Sequence, residues 1–288
     1  MGPMVILGPG TLGLSLARHA AERGLNVRLV GRDQAHAEAG VQKVLASWRN
    51  AVDQGRLNSE IFSVQSSRIQ ASQNIQEALA GATILMEALP EDLTTKADFW
   101  RGIGPHCPET LLPLTASSCL PASQIRQAGG LGPGLLNFHL FAPVHRHPIV
   151  ELAFPNDTRD AYLSRAKELA ADLGLHVVMI SGPVGLAASR MGLAQGLEAM
   201  RLLQDGHASV EDLDLLMTLG YGHPCGPLEL SDRIGLDLRL TIAEHLYRST
   251  RHTAFKPPRI LQEKVAKGEL GRKSERGFYA WNCDGTKK

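Results

Sequence analysis

A glycine-rich turn near the beginning of the chain constrains the fold more than any other segment. The apolar run 4–7 leads into Gly8, Gly10 and Gly13, which occupy the glycine positions of a G-x-G-x-x-G pattern, and a helical pattern over 12–23 follows. The first glycine permits a tight turn, the second lets a pyrophosphate approach the backbone, and the third lets helix and strand pack closely. Because a second apolar run completes a β-turn-α-β unit of roughly thirty residues, we predict nucleotide binding. The predicted contacts are Gly8, Gly10, Thr11, Leu12 and Gly13.

Strand and helix patterns alternate along the first part of the chain, and only helical patterns follow. Apolar runs at 83–88, 111–115 and 176–180 predict strands, and apolar residues at helical spacing over 34–54 and 93–103 predict helices between them. From Ala187 onward the helical patterns cover 187–203, 210–218, 227–247 and 260–267. We therefore predict an α/β fold, in which a Rossmann-type doubly wound sheet domain over residues 1–183 precedes an all-α C-terminal domain over residues 184–288.

The composition narrows the classes of partner and of site. The chain is 43% hydrophobic and 20% charged with a formal net charge of +1, so we expect a soluble globular protein without a nucleic-acid or membrane partner. Its four cysteines are scattered without a C-x-x-C pair, which predicts neither a zinc site nor a disulfide framework. No segment resembles a secretion signal or an apolar membrane span of roughly 18 residues. We expect a cytoplasmic location and no metal site.

The end of the second strand bears on the choice of cofactor. Where an NAD-binding unit of this kind usually carries an acidic residue for the ribose hydroxyls, this chain has Gly31, followed by Arg32 and Asp33. A missing carboxylate and an adjacent guanidinium favour the 2′-phosphate of NADP. In the alternative, Arg32 stacks on the adenine or is solvated, Asp33 reaches the ribose, and NAD is bound.

A histidine and a glutamate flank a proline-interrupted turn in the middle of the chain. His139 and Glu151 are twelve residues apart, at the edges of two apolar runs. An imidazole is the usual group for moving a proton near neutral pH, and a carboxylate on its other nitrogen fixes the tautomer. Taken alone, the segment also fits a buried structural histidine and a surface carboxylate. Beside a nucleotide site, we interpret it as a proton-transfer pair.

Five segments in order resemble the 3-hydroxyacyl-CoA dehydrogenase family. They are 81–96, 115–121, 137–151, 222–237 and 268–279, and the resemblance covers nearly the whole chain. It implies hydride transfer between NAD or NADP and the 3-hydroxy or 3-keto position of an acyl thioester.

The resemblance also implies roles for individual residues. His139 would be the general base in oxidation, oriented by Glu151, and Ser118 would hydrogen-bond the reacting oxygen beside the cofactor. Glu91 and Lys96 would contact the region of the nicotinamide ribose. In the helical domain, Ser189 would bond a carbonyl oxygen and Lys273 would contact the cofactor.

The chain departs from the family pattern at three positions where the family carries asparagine. These are Ala116 in the serine-rich turn, Ala142 three residues after the histidine, and Ser189 before Arg190. Each change removes or shortens a polar contact. We interpret them as a change of substrate or cofactor, since His139 and the other catalytic residues are retained, and a nucleotide-binding relative without catalysis is the alternative.

The sequence does not decide which group carries the acyl chain or which surface forms a dimer. The acyl group could be carried by CoA, with Ser47, Arg49 and Arg56 available for its nucleotide, or by a carrier protein. A small free hydroxy acid, as used by the related gulonate and carnitine dehydrogenases, is the alternative. The charged run 145–147 could meet an anionic substrate or be simply exposed. A homodimer through the helical domain is expected, with an apolar helical stripe that could form its interface or pack internally: Leu193, Leu197, Met200 and Leu203.

Overall fold

The computed structural model describes residues 2–181 and 186–288. The chain forms two compact units, Met1–Leu186 and Ala187–Lys288. The predicted domain boundary between residues 183 and 184 lies outside the described residues. Among the helices that the structure describes, none is both long and apolar enough to cross a membrane.

The first unit is built on one sheet of eight strands in the order β3-β2-β1-β4-β5-β6-β7-β8. The pairs of neighbouring strands are parallel except β6 and β7, which run antiparallel. The order reverses between β1 and β4, which is the topology of a doubly wound sheet. The strands are β1 Met4–Leu7, β2 Val27–Val30, β3 Ile69–Ser72, β4 Ile84–Glu87, β5 Leu112–Thr115, β6 Leu136–Leu140, β7 Ile149–Phe154 and β8 His176–Ser181.

Helices cover both faces of this sheet. All four residues of β1 are buried: Met4 and Ile6 belong to one apolar core, and Val5 and Leu7 to a second core. This burial explains why the central strand is a continuous apolar run instead of an alternating one. The helices are α1 Thr11–Glu22, α2 Gln34–Asp53, α3 Ser59–Ser66, α4 Ile75–Leu79, α5 Leu93–Ile103, α6 Ala122–Gly129 and α7 Asp160–Asp172.

The second unit is helical, as predicted. One predicted helix, over 227–247, is in fact two, because Gly235 lies between them at φ 108°, outside the helical region. Residues 186–288 hold no strand longer than an isolated bridge. The helices are α8 Ala187–Gln204, α9 Val210–Leu215, α10 Pro227–Ile234, α11 Leu236–Thr250 and α12 Arg259–Ala266, and a π-helical turn, Leu216–Gly220, extends α9.

The predicted apolar stripe of α8 packs within the chain. Leu193, Leu197 and Met200 are at most 1% exposed, and α8 packs against α10 and α12 of its own unit. Their burial in the single chain leaves these three side chains unavailable to a partner subunit. Of the two interpretations of this stripe, a dimer interface or internal packing, the structure supports internal packing for these three residues.

Candidate active site

The glycine-rich turn joins β1 to α1, and the backbone geometry of the turn requires glycine at two of the three positions, Gly8 and Gly13. Gly8 has φ 103°, and a Cβ on Gly13 would lie 2.0 Å from the carbonyl oxygen of Gly8. A Cβ on Gly10 would meet no atom within 4 Å. Gly10 is also the N-cap of α1 and supplies no side-chain hydrogen bond to the helix. The space beside Gly10, at the N-terminus of α1, is therefore open, which suits the approach of a pyrophosphate to the helix.

The end of β2 has no room for an acidic side chain at its first loop position. A Cβ on Gly31 would lie 2.8 Å from the backbone nitrogen of Ala37. Asp33 instead caps α2, since its Oδ1 accepts from the N–H of His36 at 2.7 Å, and this hydrogen bond holds the pKa of Asp33 below its ordinary value. The Arg32 guanidinium is 81% exposed and lies 3.3 Å from Asp33 Oδ2.

His139 and Glu151 face each other across the antiparallel pair β6–β7. They are direct register partners, and His139 Nδ1 lies 3.2 Å from Glu151 Oε2. Both residues are buried, at 7% and 3% exposure. With Nδ1 directed at the carboxylate, Nε2 is the ring nitrogen left to exchange a proton. The twelve-residue spacing thus places the pair in contact because the chain turns back between the two strands.

The serine-rich turn follows β5 and lies beside β6. Thr115 at the end of β5 is the register partner of Asn137 in β6. The turn after β5 and His139 therefore lie at the same end of these two parallel strands. The buried Asn137 amide donates to the carbonyl oxygens of Ser117 and Leu120, at 3.3 and 3.0 Å. Ser118 is half-buried, with its hydroxyl 3.6 Å from the Cys119 thiol. The Asn137 amide therefore holds the turn through the carbonyl oxygens of Ser117 and Leu120, and the Ser118 hydroxyl contacts the Cys119 thiol.

Glu91 is anchored against the same turn. It accepts hydrogen bonds from the Ser117 hydroxyl at 2.5 Å and from the backbone N–H of Cys119 at 2.9 Å. Burial opposes ionisation of Glu91, but the Lys96 ammonium and these hydrogen bonds outweigh it and lower its pKa. Burial and the Glu91 carboxylate together raise the pKa of Cys119, whose thiol lies 3.1 Å from that carboxylate. Glu91 is thus an anion fixed at the edge of the sheet.

Lys96 lies beneath Glu91 and is 1% exposed. Its ammonium is 2.7 Å from Glu87 Oε1, 3.0 Å from the Leu89 carbonyl oxygen and 3.9 Å from Glu91 Oε2. The other oxygen of Glu87 accepts from the Thr115 hydroxyl at 2.7 Å. These contacts direct Lys96 into a buried ionic network.

Two residues of this site were not singled out from the sequence. Glu87 is 0% exposed and ties β4 to β5 and α5, and Asn137 joins β6 to the serine-rich turn. The signal for Glu87 was available, because a carboxylate closes the otherwise apolar strand β4. A buried charge needs a paired partner, and Lys96 stands one helical turn into α5.

The two predicted site residues of the helical unit, Ser189 and Lys273, lie in different structural elements. Ser189 is half-buried in the first turn of α8. Lys273 lies in a short 3-10 turn and is half-exposed, with its ammonium 2.6 Å from Asp237 Oδ1.

A groove of the first unit lies between α1, α2 and the loop after β6. Its volume is about 340 Å³, and basic side chains, Arg18, Lys43 and His145, line it together with Ser47. Arg18 donates to the Ser47 hydroxyl at 2.7 Å. Burial and the Arg18 charge lower the pKa of His145. The predicted participants Arg49 and Arg56 are exposed and do not line this groove.

Models of one enzyme family match both units of the chain. The model for the NAD binding domain of 3-hydroxyacyl-CoA dehydrogenase matches residues 4–182, and the model for the C-terminal domain matches residues 185–281. The chain belongs to the 3-hydroxyacyl-CoA dehydrogenase family.

Relatives and solved structures of the family cover nearly the whole chain. A probable 3-hydroxybutyryl-CoA dehydrogenase of Bacillus subtilis is 31% identical, with 96% of each chain covered. The mitochondrial hydroxyacyl-coenzyme A dehydrogenase of Sus scrofa is 26% identical over 96% of this chain and 90% of its own. The crystal structure of (S)-3-hydroxybutyryl-CoA dehydrogenase PaaH1 from Ralstonia eutropha superposes with a TM-score of 0.91 at 29% identity, covering 98% of this chain and 100% of that one.

Family membership confirms several predictions. The resemblance, the α/β fold followed by a helical domain, and the oxidoreductase class are confirmed. At the level of the family, hydride exchange with a nicotinamide cofactor at an acyl-CoA hydroxyl is confirmed as well.

Proposed function

We propose that His139 is the proton-transfer group in reversible hydride exchange between a nicotinamide cofactor and the 3-hydroxyl carbon of an acyl thioester. The observation that carries this proposal is the 3.2 Å contact of His139 Nδ1 with Glu151 Oε2. The pair lies in the sheet whose switch point, between β1 and β4, bears the open glycine turn.

The cofactor supplies the hydride chemistry of the reaction, and the side chains of the protein supply the proton transfer. The bound nicotinamide supplies the hydride acceptor in oxidation and the donor in reduction. In oxidation, His139 Nε2 accepts the hydroxyl proton while the C–H electron pair leaves with the hydride. Glu151 stabilises the resulting imidazolium through Nδ1, and in reduction the same imidazolium returns its proton to the carbonyl oxygen. We assign Ser118 as a hydrogen-bond donor to that oxygen. For Ser189 we keep the predicted role of donor to a carbonyl oxygen of the substrate.

Replacing His139 with Gln tests this assignment. The amide keeps polarity but cannot accept the proton, so we expect kcat to fall by roughly 10²–10⁴-fold. Stopped-flow measurement of nicotinamide absorbance with 3-hydroxybutyryl-CoA gives the rate. His147→Gln, the same change at an exposed histidine of the neighbouring loop, is the matched control. Undiminished turnover of the His139 variant would refute the role. Absence of turnover in the unaltered enzyme with every hydroxyacyl substrate would support the relative without catalysis.

We infer that CoA is the acyl carrier. The groove is lined by two cationic side chains, Arg18 and Lys43, to which phosphate groups can bind. A Lys43→Met variant should show a raised KM for the CoA thioester and an unchanged KM for the matching pantetheine thioester, which lacks the nucleotide. Equal KM changes for both thioesters would contradict a nucleotide contact. Preference for a free hydroxy acid over both thioesters would favour the alternative substrate class.

We propose that NADP is preferred to NAD. Gly31 leaves no carboxylate at the end of β2, and Asp33 is occupied in capping α2. The Arg32 guanidinium, which contacts Asp33 through Nε, is 81% exposed and presents its other N–H groups to a 2′-phosphate. The family model that matches this unit is described as NAD binding, so the two cofactors need direct comparison. We expect a lower Kd for NADPH than for NADH, and loss of that difference in Arg32→Ala. A lower Kd for NADH would contradict the preference.

We also propose a homodimer formed by the helical unit, through a different surface from the predicted stripe. Large apolar side chains of this unit are 52–79% exposed: Met191, Leu215, Leu216, Leu219 and Tyr221. Four of the five fall within residues 215–221, and clustered exposed apolar side chains mark interaction sites. Light scattering should give the mass of two chains, and Leu219→Glu should give the mass of one. A monomeric unaltered protein would refute the proposal.

Three further predictions from the sequence stay predictions. These are the ribose contacts of Glu91 and Lys96, the cofactor contact of Lys273, and the cytoplasmic location. We assign cofactor binding to the first unit and, together with dimerisation, part of substrate binding to the second.

A further inference from the structure

An unpaired guanidinium is buried in the helical unit. Arg239 in α11 is 4% exposed. Its Nε and Nη2 are buried without a hydrogen-bond partner, and no ion pair joins it to a carboxylate among residues 2–181 and 186–288. Burial lowers the pKa of Arg239 to about 10, so the group stays charged at neutral pH. A buried charge without a counter-ion destabilises the fold, and a ligand that supplies the counter-ion removes that cost.

The two unpaired nitrogens define the shape of the missing partner. Nε and Nη2 lie on the same edge of the planar guanidinium, and their N–H bonds point in parallel. This edge matches the two oxygens of a carboxylate, which can accept both hydrogen bonds at once. A neutral carbonyl group offers a single oxygen and would leave the guanidinium charge uncompensated.

On the side of α8, Arg239 faces a glycine. A Cβ on Gly196 of α8 would lie 3.8 Å from both Cζ and Nη2 of Arg239, so the guanidinium packs against bare helix backbone. The neighbouring Ser231 hydroxyl already donates to the Pro227 carbonyl oxygen at 2.7 Å. One turn of α8 earlier, a Cβ on Gly192 would meet nothing within 4 Å.

The same face of α8 carries Ser189. Ser189, Gly192 and Gly196 follow one another at helical spacings of three and four residues, which place them on one side of the helix. The seven residue steps from Ser189 to Gly196 span about 10 Å along the axis. An acyl chain that extends from Ser189 along this glycine face is directed toward Arg239.

We propose that Arg239 binds a carboxylate at the far end of the acyl group, so that the preferred substrates are thioesters of 3-hydroxy dicarboxylic acids. This rests on the proposed function, because it takes Ser189 as a contact of a carbonyl oxygen of the substrate. The carboxylate pairs with Nε and Nη2, and the open space at Gly192 admits the intervening methylene groups.

Matched substrates test the proposal. 3-Hydroxyhexanoyl-CoA and 3-hydroxyadipyl-CoA have the same length and differ only in a terminal methyl group or carboxylate, and longer matched pairs extend the series. For at least one pair we expect kcat/KM to favour the dicarboxylic member. Arg239→Met should lower that preference by about ten- to a hundredfold and leave the methyl-terminated thioester unaffected. Arg239→Lys, which keeps the charge without the fork, should lose part of the preference.

Arg248→Met is the matched control, since Arg248 is an exposed arginine of the same helix. Oxidation of the methyl-terminated thioesters without preference for any dicarboxylic member would overturn this proposal and leave the proposed function standing. Absence of oxidation of any thioester would overturn both. An unchanged preference in Arg239→Met, with a lowered Tm or with dissociation of the dimer, would assign the guanidinium to the fold or to the partner subunit instead.

Discussion

Two buried cations, one in each unit of the chain, are handled in opposite ways. Lys96 of α5 is 1% exposed, and its ammonium lies 2.7 Å from Glu87 and 3.0 Å from the carbonyl oxygen of Leu89. Arg239 of α11 is 4% exposed, and two of its nitrogens have no partner among the residues that the structure describes. The cost of burying a charge is met inside the fold for Lys96 and left unmet for Arg239.

The contrast separates a structural ion from a binding group. The Lys96 network fixes the ends of β4 and β5 and holds Glu91 against the serine-rich turn, so it builds the site before any ligand arrives. Arg239 contributes nothing of that kind, and its unpaired edge suits a ligand. Burial alone therefore does not distinguish a structural ion from a binding group. The hydrogen-bond and ion-pair partners of the buried cation do.

The largest effect is expected from removing Lys96. Lys96→Met leaves the buried Glu87 carboxylate without its cation and should lower the free energy of unfolding by about 3–5 kcal/mol. Urea unfolding followed by circular dichroism measures the change. Lys167→Met, an exposed lysine of α7, is the control. Arg239→Met should lose no stability in the same assay, and a comparable loss there would erase the contrast between the two cations.

A smaller effect should appear when a ligand reaches Arg239. At a concentration about a hundred times its Kd, a bound ligand raises the free energy of unfolding by about 2.7 kcal/mol. We expect a 3-hydroxy dicarboxylic thioester to give this gain with the unaltered protein and much less with Arg239→Met at the same concentration. Thermal unfolding with and without the thioester measures both. Equal gains in the two proteins would mean that Arg239 is not the carboxylate partner.

The smallest effect concerns acid stability of the Lys96 network. The folded state lowers the pKa of Glu91 from its ordinary value of 4.5, because Lys96 and the Ser117 and Cys119 hydrogen bonds outweigh burial. A lowered carboxyl pKa adds stability above the unfolded pKa, and that stability is lost as the pH falls through the folded pKa. Glu91→Gln should therefore flatten the fall in stability below pH 4.5, whereas Arg239→Met should keep the slope of the unaltered protein. An unchanged slope in Glu91→Gln would refute this account.

Much of the fold was predictable because its signals are local. The G-x-G-x-x-G turn is required by backbone geometry at Gly8 and Gly13, and α5 begins and ends at the residues that its apolar spacing predicts. The failures also have local causes. The helix predicted over 227–247 breaks at Gly235, whose φ of 108° cannot be anticipated from apolar spacing that continues on both sides.

The sequence by itself determined the residue types on which the chemistry depends. The sequence alone contains the apolar periodicity, the glycine turn and the twelve-residue spacing of His139 and Glu151. Only the tertiary structure decided what those residues contact. The antiparallel pairing of β6 with β7 brings His139 Nδ1 to 3.2 Å from Glu151 Oε2, and long-range packing gives Lys96 its carboxylate. Arg239 has no carboxylate partner among the residues that the structure describes. A residue's partners come from segments distant in the chain, and packing free energy, which no local pattern encodes, selects them.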